Sequence, residues 1–418
     1  MHICLISLQL CFKRHYSSES GGDKCTLFCD RNNINRRNVK SDVTSAYSPD
    51  RAMFTLAVKA RIVVAALEIL GMSDISGKPT RNTFPLSLPT ASEATQRVYL
   101  RAIAAKVVDT YVIDSSSVNS LLNQILSEEE QDEVQKNQAQ TPDGRYPCRV
   151  PGCHKSFRFD GKSRRKHELT HGDHAELSSE TFIETKDTAQ TTKAKEPNKS
   201  SDDMFNYQCS LLDHGLLYLN FRDAVAEGDG ARIIRCWKFL LIQFWQESRK
   251  SKYALEALYL LCQIHALLTP CEAHQLVWNR SVNNHGVAGC NVPLDLDLEH
   301  DNNYIKEGNK KMGRNLTTTA VTRNCHCCKV SREIIEQYDL ECKIRKRSGK
   351  HVQKSDGEDL RILVNLLLSE GALIETPGRE YNHYAAFQRS QTSEIDMSSL
   401  FKWIDNHKKY ILFNRRAR

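Results

Sequence analysis

Two cysteines and two histidines fall within one short basic stretch, YPCRVPGCHKSFRFDGKSRRKHELTH, running from Tyr146 to His171. The order is Cys148, four residues, Cys153, thirteen residues, His167, three residues, His171. Thiolate and imidazole are donors that zinc prefers, and in structural sites zinc takes four of them in a tetrahedron. His167 and His171 stand at i and i+4, so a single helical turn places both rings on one face. Tyr146 precedes the first cysteine and Phe157 follows the second by four residues, positions from which aromatic rings can fill a very small core. The alternative is a basic loop with unligated thiols and imidazoles, and that reading leaves the agreement of four ligands and two aromatics unexplained.

A second constellation is acidic. In NVPLDLDLEHDNN, Asp295, Asp297 and Glu299 alternate with Leu294, Leu296 and Leu298. On a strand the three acids would share one face; on a helix Asp295 and Glu299 would be neighbours. Either arrangement offers candidate ligands for the divalent ions of phosphoryl transfer. The competing reading, a half-buried element with one solvated face, is favoured because alternating patterns are common. Cys325, His326, Cys327 and Cys328 form a dense cluster, but adjacent residues cannot all reach one ion with tetrahedral geometry. Trp237, Trp245 and Trp278 lie in apolar surroundings and are expected in the core rather than as base-stacking platforms.

These groups must be carried by elements that the hydrophobic pattern outlines. FTLAVKARIVVAALEILGM, residues 54–72, predicts a buried helix stopped by Gly71. Thr90 with Glu93 three residues on gives a capping-box pattern ahead of RVYLRAIAAKVVDTYV, and Ser115–Ser117 can start a further helix carrying Val118, Leu121, Leu122 and Ile125. MFNYQCSLLDHGLLYLNFRDAVAEG, ARIIRCWKFLLIQFWQ and YALEALYLLCQIHALL predict three more, broken at the EGDG turn and at Thr269-Pro270. The expected organisation is mainly α and multidomain. Residues 1–50 form a disordered or ill-defined leader, 51–130 a helical unit, 131–145 a linker, 146–172 the Cys/His module and 173–203 a second, disordered linker. Residues 204–342 form a larger helical domain, and 343–418 a basic segment with a small α/β tail.

With 418 residues, 40% of them hydrophobic and 26% charged, the chain is long enough for two or three domains, and the Cys/His module is a small part of it. The net charge of +7 and pI near 8.6 favour an acidic partner without demanding one. Fifteen cysteines, an odd number set mostly singly in apolar runs, read as reduced thiols, Cys25 and Cys29 among them. The opening MHICLISLQLCF is too short to span a membrane and lacks the flanks of a signal peptide, so no membrane partner is expected.

The Cys/His segment resembles a CCHH-type zinc finger, with a hairpin supplying the thiolates and a helix the imidazoles. It departs from that pattern in a gap one residue longer than usual and in Arg164, where the family commonly has Leu; Phe159 is a candidate to fill the missing volume. Asp160 reads as the helix N-cap. Counting back from His167, the helix positions that would face a nucleic-acid groove hold Asp160, Lys162, Ser163 and Lys166, and Lys162, Arg164, Arg165 and Lys166 supply charge for phosphates. Arg345, Lys346 and Arg347 add a second basic cluster, readable as a phosphate contact or a nuclear-import signal.

Further along, GDGARIIRCWKF, YALEALYLLCQIHALL, HQLVWNRSVNNHG and NVPLDLDLEHDN resemble, in that order, the C-terminal part of proteins with domain of unknown function 6589, and ARIVVAALEILGM and DGRYPCRVPGC are similar to pieces associated with it. The resemblance implies a mobile-element origin. It also implies that longer members carry upstream acidic motifs compatible with a ribonuclease-H-like transposase core. Helices and a linker occupy residues 51–203 here, so the acids that Glu299 would need from separate strands are missing and catalysis is disfavoured. The expected protein therefore binds zinc and is nuclear, with the cytoplasm as alternative. It contacts nucleic acid largely nonspecifically through the finger and basic segments, and its helical domain is a scaffold open to protein partners. A degenerate transposase or nuclease and a pure interaction scaffold are the competing readings.

Overall fold

The computed structural model describes residues 2–83, 87–113, 145–148, 153–158, 163–164, 167, 171, 201–284, 286–344, 355–390 and 395–414. The chain divides into two compact units, one of residues 1–114 with 197–418 and one of residues 115–196. The expected helix after Ser115, the linkers apart from residues 145 and 201–203, and the basic cluster at 345–347 lie outside the described residues.

The larger unit is helical. Its centre is α3, Val43–Leu70, against which pack α1 (His2–His15), α2 (Leu27–Asn33), α4 (Glu93–Val107), α5 (Asp203–Glu227) and α11 (Asp356–Ser369). Asp42 caps α3 by accepting the Thr44 N–H. The helix kinks at Ala46 (φ −140°), three residues before Pro49, whose ring and missing N–H a straight helix would not accommodate. It ends where expected, at Gly71 (φ 65°), with the Met72 N–H returning to the Leu67 carbonyl at 2.9 Å. α5 ends in the same way at Gly228 (φ 69°). Halfway along α5, Gly215 lets α3 approach, since a Cβ there would lie 2.4 Å from Val58 Cγ2.

Residues 1–50, expected as a leader, are a correction. α1 buries Cys4, Ile6, Leu8, Cys11 and Phe12, and its Phe12 ring meets Phe54 of α3 at 6.1 Å. The polar stretch that follows is ordered by hydrogen bonds rather than by apolar periodicity. Arg61 of α3, fully buried, donates to Asp30 Oδ2 (2.7 Å), Gln208 Oε1 (2.7 Å) and the carbonyls of Ala57 (3.0 Å) and Cys25 (2.7 Å). Cys25 adopts φ 60°, a strained value for a residue with a Cβ, and its carbonyl accepts a second bond from Gln208. Tyr207 OH accepts the Leu27 N–H at 3.1 Å and donates to the His15 carbonyl.

The segment after α11 is irregular and is fastened by three buried aspartates. Asp23 accepts the backbone N–H groups of Asn382, His383 and Tyr384, and Asp203 those of Tyr381, Ala386 and Phe387. Asp202 caps α5 and also holds Thr376 N–H and Arg379. These carboxylates satisfy backbone donors that no ladder supplies. The expected small α/β tail is corrected here: among the described residues of 355–414 there are two helices, α11 and α12 (Met397–Asn414), and no strand.

α6 (Gly230–Gln246), α7 (Ser251–Cys262, continued by a π-type turn to Leu267) and α8 (Pro270–Trp278) complete this layer, with Trp237, Leu240 and Phe244 in the core. Thr269 and Glu272 form a capping box at α8. The box expected at Thr90 is not used; Ser92 caps α4 instead, accepting the Thr95 N–H at 3.3 Å. Trp278, expected in the core, is 44% exposed. A two-residue ribbon of β3 (Ser281–Val282) and β4 (Val292–Pro293) leads into a hairpin of α9 (Leu294–Met312) and α10 (Thr318–Glu341).

Candidate metal centre

In the smaller unit, β1 (Tyr146–Pro147) pairs antiparallel with β2 (Ser156–Phe157), in the register Tyr146 to Phe157 and Pro147 to Ser156. The Cys148 N–H continues the pairing to the Lys155 carbonyl at 2.8 Å. Cys148 directly follows β1, and Cys153 stands three residues before β2. The ligand atoms of Cys148, Cys153, His167 and His171 all lie within 4.8 Å of one another. Cys153 Sγ is 3.2 Å and His171 Nε2 3.0 Å from His167 Nε2, and the two imidazole planes stand at 83°.

A tetrahedron with Zn–S near 2.3 Å and Zn–N near 2.0 Å has edges of about 3.3–3.8 Å. The two measured separations fall a few tenths of an ångström short of that range and the 4.8 Å bound on the whole set exceeds it, so small shifts of the four side chains would admit one ion. The donor set of two thiols and two imidazoles is of the kind that binds soft or borderline metals. Cys148 is buried, Cys153 and His167 are half-buried and His171 is exposed. The Phe157 ring lies 5.3 Å from the His167 ring, the packing expected of the aromatic position. Arg164 explains its own departure from Leu: it is 3% exposed, with its guanidinium 5.8 Å over the Tyr146 ring, so its stem occupies the core and its charge rests on an aromatic face. It is therefore corrected as a phosphate contact.

Of the residues expected to face nucleic acid, Ser163 is described and exposed, while Lys162, Arg165 and Lys166 lie outside the described residues, as do Phe159 and Asp160. Lys155 and Arg158, exposed on and beside the ribbon, are further cations that the helix-centred reading passed over; the basic composition of the whole segment was the available signal.

The acidic candidates are placed on a helix. Asp295 and Asp297 lie in the first turn of α9, where the helix dipole favours negative charge, and Glu299 follows, with Asp295 and Glu299 exposed. Asp297 accepts from Arg332 of α10 at 2.6 Å and from Asn284 at 3.2 Å. Its partial burial works against ionisation, but the Arg332 bond and charge prevail and hold the carboxyl below the ordinary range. Arg332 also reaches Asp301 at 2.6 Å and Glu336 at 2.8 Å. Arg332 thus takes up Asp297, one of the three candidate acids, as an ion-pair partner. Cys325, His326 and Cys327 are exposed on α10 and Cys328 is buried, spread around the helix by successive residues. Among the described residues, no other group of three donors gathers as the Cys/His set does.

A family model described as a family of unknown function, DUF6589, matches residues 1–351. The chain belongs to DUF6589. The DUF6589 match takes in α1–α10 and the Cys/His segment, reaching further towards the N-terminus than the sequence resemblance indicated, and it stops before α11, the strapped segment and α12. No curated protein and no solved structure matches the chain. No helix of the described residues is long and apolar enough to cross a membrane.

Proposed function

We propose that this DUF6589 protein is a mobile-element-derived, nuclear protein in which Cys148, Cys153, His167 and His171 hold a structural zinc ion, and that the module so formed contacts nucleic acid. The observation that supports zinc is the approach of all four ligand atoms to within 4.8 Å. All four positions are filled by protein, which is the closed set of a structural site rather than the open set of a catalytic one. Zinc would supply the fold of the module, and the exposed Lys155 and Arg158 with Lys162, Ser163, Arg165 and Lys166 would meet phosphates. A single module of this kind reads about three base pairs, so binding is largely independent of sequence.

The test has two arms. Purified protein should carry one equivalent of zinc, lost on Cys148→Ala or His167→Ala; undiminished zinc in both variants would remove these residues as ligands. Duplex DNA titrated over a salt series should show steep salt dependence, and replacing Lys162, Arg165 and Lys166 with Gln should reduce the logarithmic slope by about 0.9 per lost contact. An unchanged slope means the module binds zinc without contacting nucleic acid. The same comparison with Arg345, Lys346 and Arg347 neutralised, read both as slope and as the location of a fluorescent fusion, separates a phosphate contact from an import signal.

A further inference from the structure

α10 is twenty-four residues long, about 36 Å at the helical rise. Its inner face is engaged by α9: Asn324 donates to the Ile305 carbonyl and to Asn309, Cys328 to the Asp301 carbonyl, and Arg332 holds Asp297 and Asp301. On another face Val330, Ile334 and Tyr338 follow one another at four-residue intervals, and they are 58%, 64% and 58% exposed. One exposed apolar residue is ordinary; three large ones in a row along a helix form a stripe that normally has a partner.

The charges beside the stripe are sorted along the axis. At the helical repeat exposed Arg323 and exposed Glu341 lie in line with the stripe, at its N-terminal and C-terminal ends, and exposed Glu333 flanks it. Nucleic acid would meet the acidic end unfavourably. A second α10 laid antiparallel meets it favourably, because the Arg323 end of each helix then faces the Glu341 end of the other; a parallel partner would set like against like. We propose that this face of α10 is the interface with a second copy of this chain, the two helices packed antiparallel about a two-fold axis near Ile334. In that arrangement Val330 of each copy approaches Tyr338 of the other, and Ile334 meets its own counterpart. The contact is isologous and closes on itself, so it gives a dimer and no filament. One helix pair is a small interface, which sets the expectation of reversible rather than obligate association.

The test is sedimentation equilibrium of the full chain across a hundredfold concentration range, in reductant because Cys325, Cys327 and Cys342 are exposed. The parent should pass from monomer to dimer. Ile334→Glu should raise the dissociation constant about tenfold or more, as loss of a central apolar contact does; Tyr338→Ser serves as the second variant if circular dichroism shows that Ile334→Glu has lost helix. Arg323→Glu should self-associate more weakly, and so should Glu341→Lys. An equal mixture of these two proteins should recover the dimer. A parent that is monomeric throughout overturns the proposal, as does a dimer indifferent to both apolar variants. A mixture that associates no better than its components overturns the antiparallel arrangement.

Discussion

In the helical body Leu8, Phe12, Phe54, Leu211, Leu212 and Phe244 are shut away from solvent, whereas the described buried side chains of the Cys/His module are Cys148 and Arg164. Each large apolar side chain in the body contributes about 1.5–3 kcal/mol by burial. The module has too little such surface to offset the entropy of ordering its backbone. In the proposed zinc site its four converging Cys and His side chains would take that role. With zinc in place one chain would order two regions by unlike means, and each should then fail under a different insult.

Removing metal is the sharpest way to break the comparison and carries the largest expected effect. Metal affinity is folding free energy in such modules, roughly 10–16 kcal/mol for structural zinc at neutral pH. Chelation should therefore abolish amide protection over residues 146–171 while the thermal transition of the body stays where it was. Loss of the body transition on chelation would mean that the two regions do not fold separately.

The body should be more sensitive to its buried charges than to its individual methyl groups. Asp30→Ala leaves the fully buried Arg61 facing Gln208 and two carbonyls without its counter-charge, and breaking a buried pair in this way costs about 3–5 kcal/mol. Burial pushes the Asp30 carboxyl up and Arg61 opposes that push, so the pair is held at some expense. Replacing both at once, Asp30→Leu with Arg61→Met, should recover much of the loss in a urea titration. If the double variant is as unstable as the single one, the ion pair itself is required.

The pH dependence of the body gives a third measurement. Asp50 is buried, with one oxygen accepting the Lys40 N–H at 3.0 Å, and burial raises its pKa to about 6. The folded state then holds a proton that the unfolded state releases near pH 4, so stability is greatest at low pH and is lost as pH rises through 6. At about 1.4 kcal/mol per unit, the contribution lost is up to about 2–3 kcal/mol. Asp50→Asn, which keeps the acceptor and removes the charge, should raise the urea midpoint at pH 7 and flatten the difference between pH 4 and pH 7. Parallel pH profiles for parent and variant would show that Asp50 ionises normally.

Which parts of this were legible depended on whether the ordering force leaves a local pattern. The helices of the body are periodic in apolar residues, and Gly71 and the EGDG turn mark their ends, so these were readable. The gathering of the four candidate ligands was readable because metal geometry fixes spacing. Residues 16–42 were not, since Asp23, Cys25 and Asp30 are ordered by partners 31 to 361 residues away, among them Arg61, Gln208 and Tyr384. Short polar side chains give no period from which such partners can be inferred. The alternation around Asp295 fitted strand and helix alike, and the segment is a helix whose Asp297 is claimed by Arg332.

Arg164 sharpens the comparison at its finest scale, because it is the one large described side chain that the module buries as the body buries leucine. With its guanidinium 5.8 Å above Tyr146, the cation–π contact contributes about 0.5–1 kcal/mol, and the stem supplies apolar contact besides. Leu would keep the apolar contact and lose the aromatic one, so Arg164→Leu should change the stability of the zinc-loaded module by less than about 1 kcal/mol. Zinc stoichiometry should not change. The salt slope of DNA binding should also be unaltered, since a side chain 3% exposed is not available to a phosphate. Chelator competition measures the first quantity and a salt titration the last. A slope reduced by about one contact would show that Arg164 leaves Tyr146 to meet the backbone, and that the module rearranges on binding where the body would not.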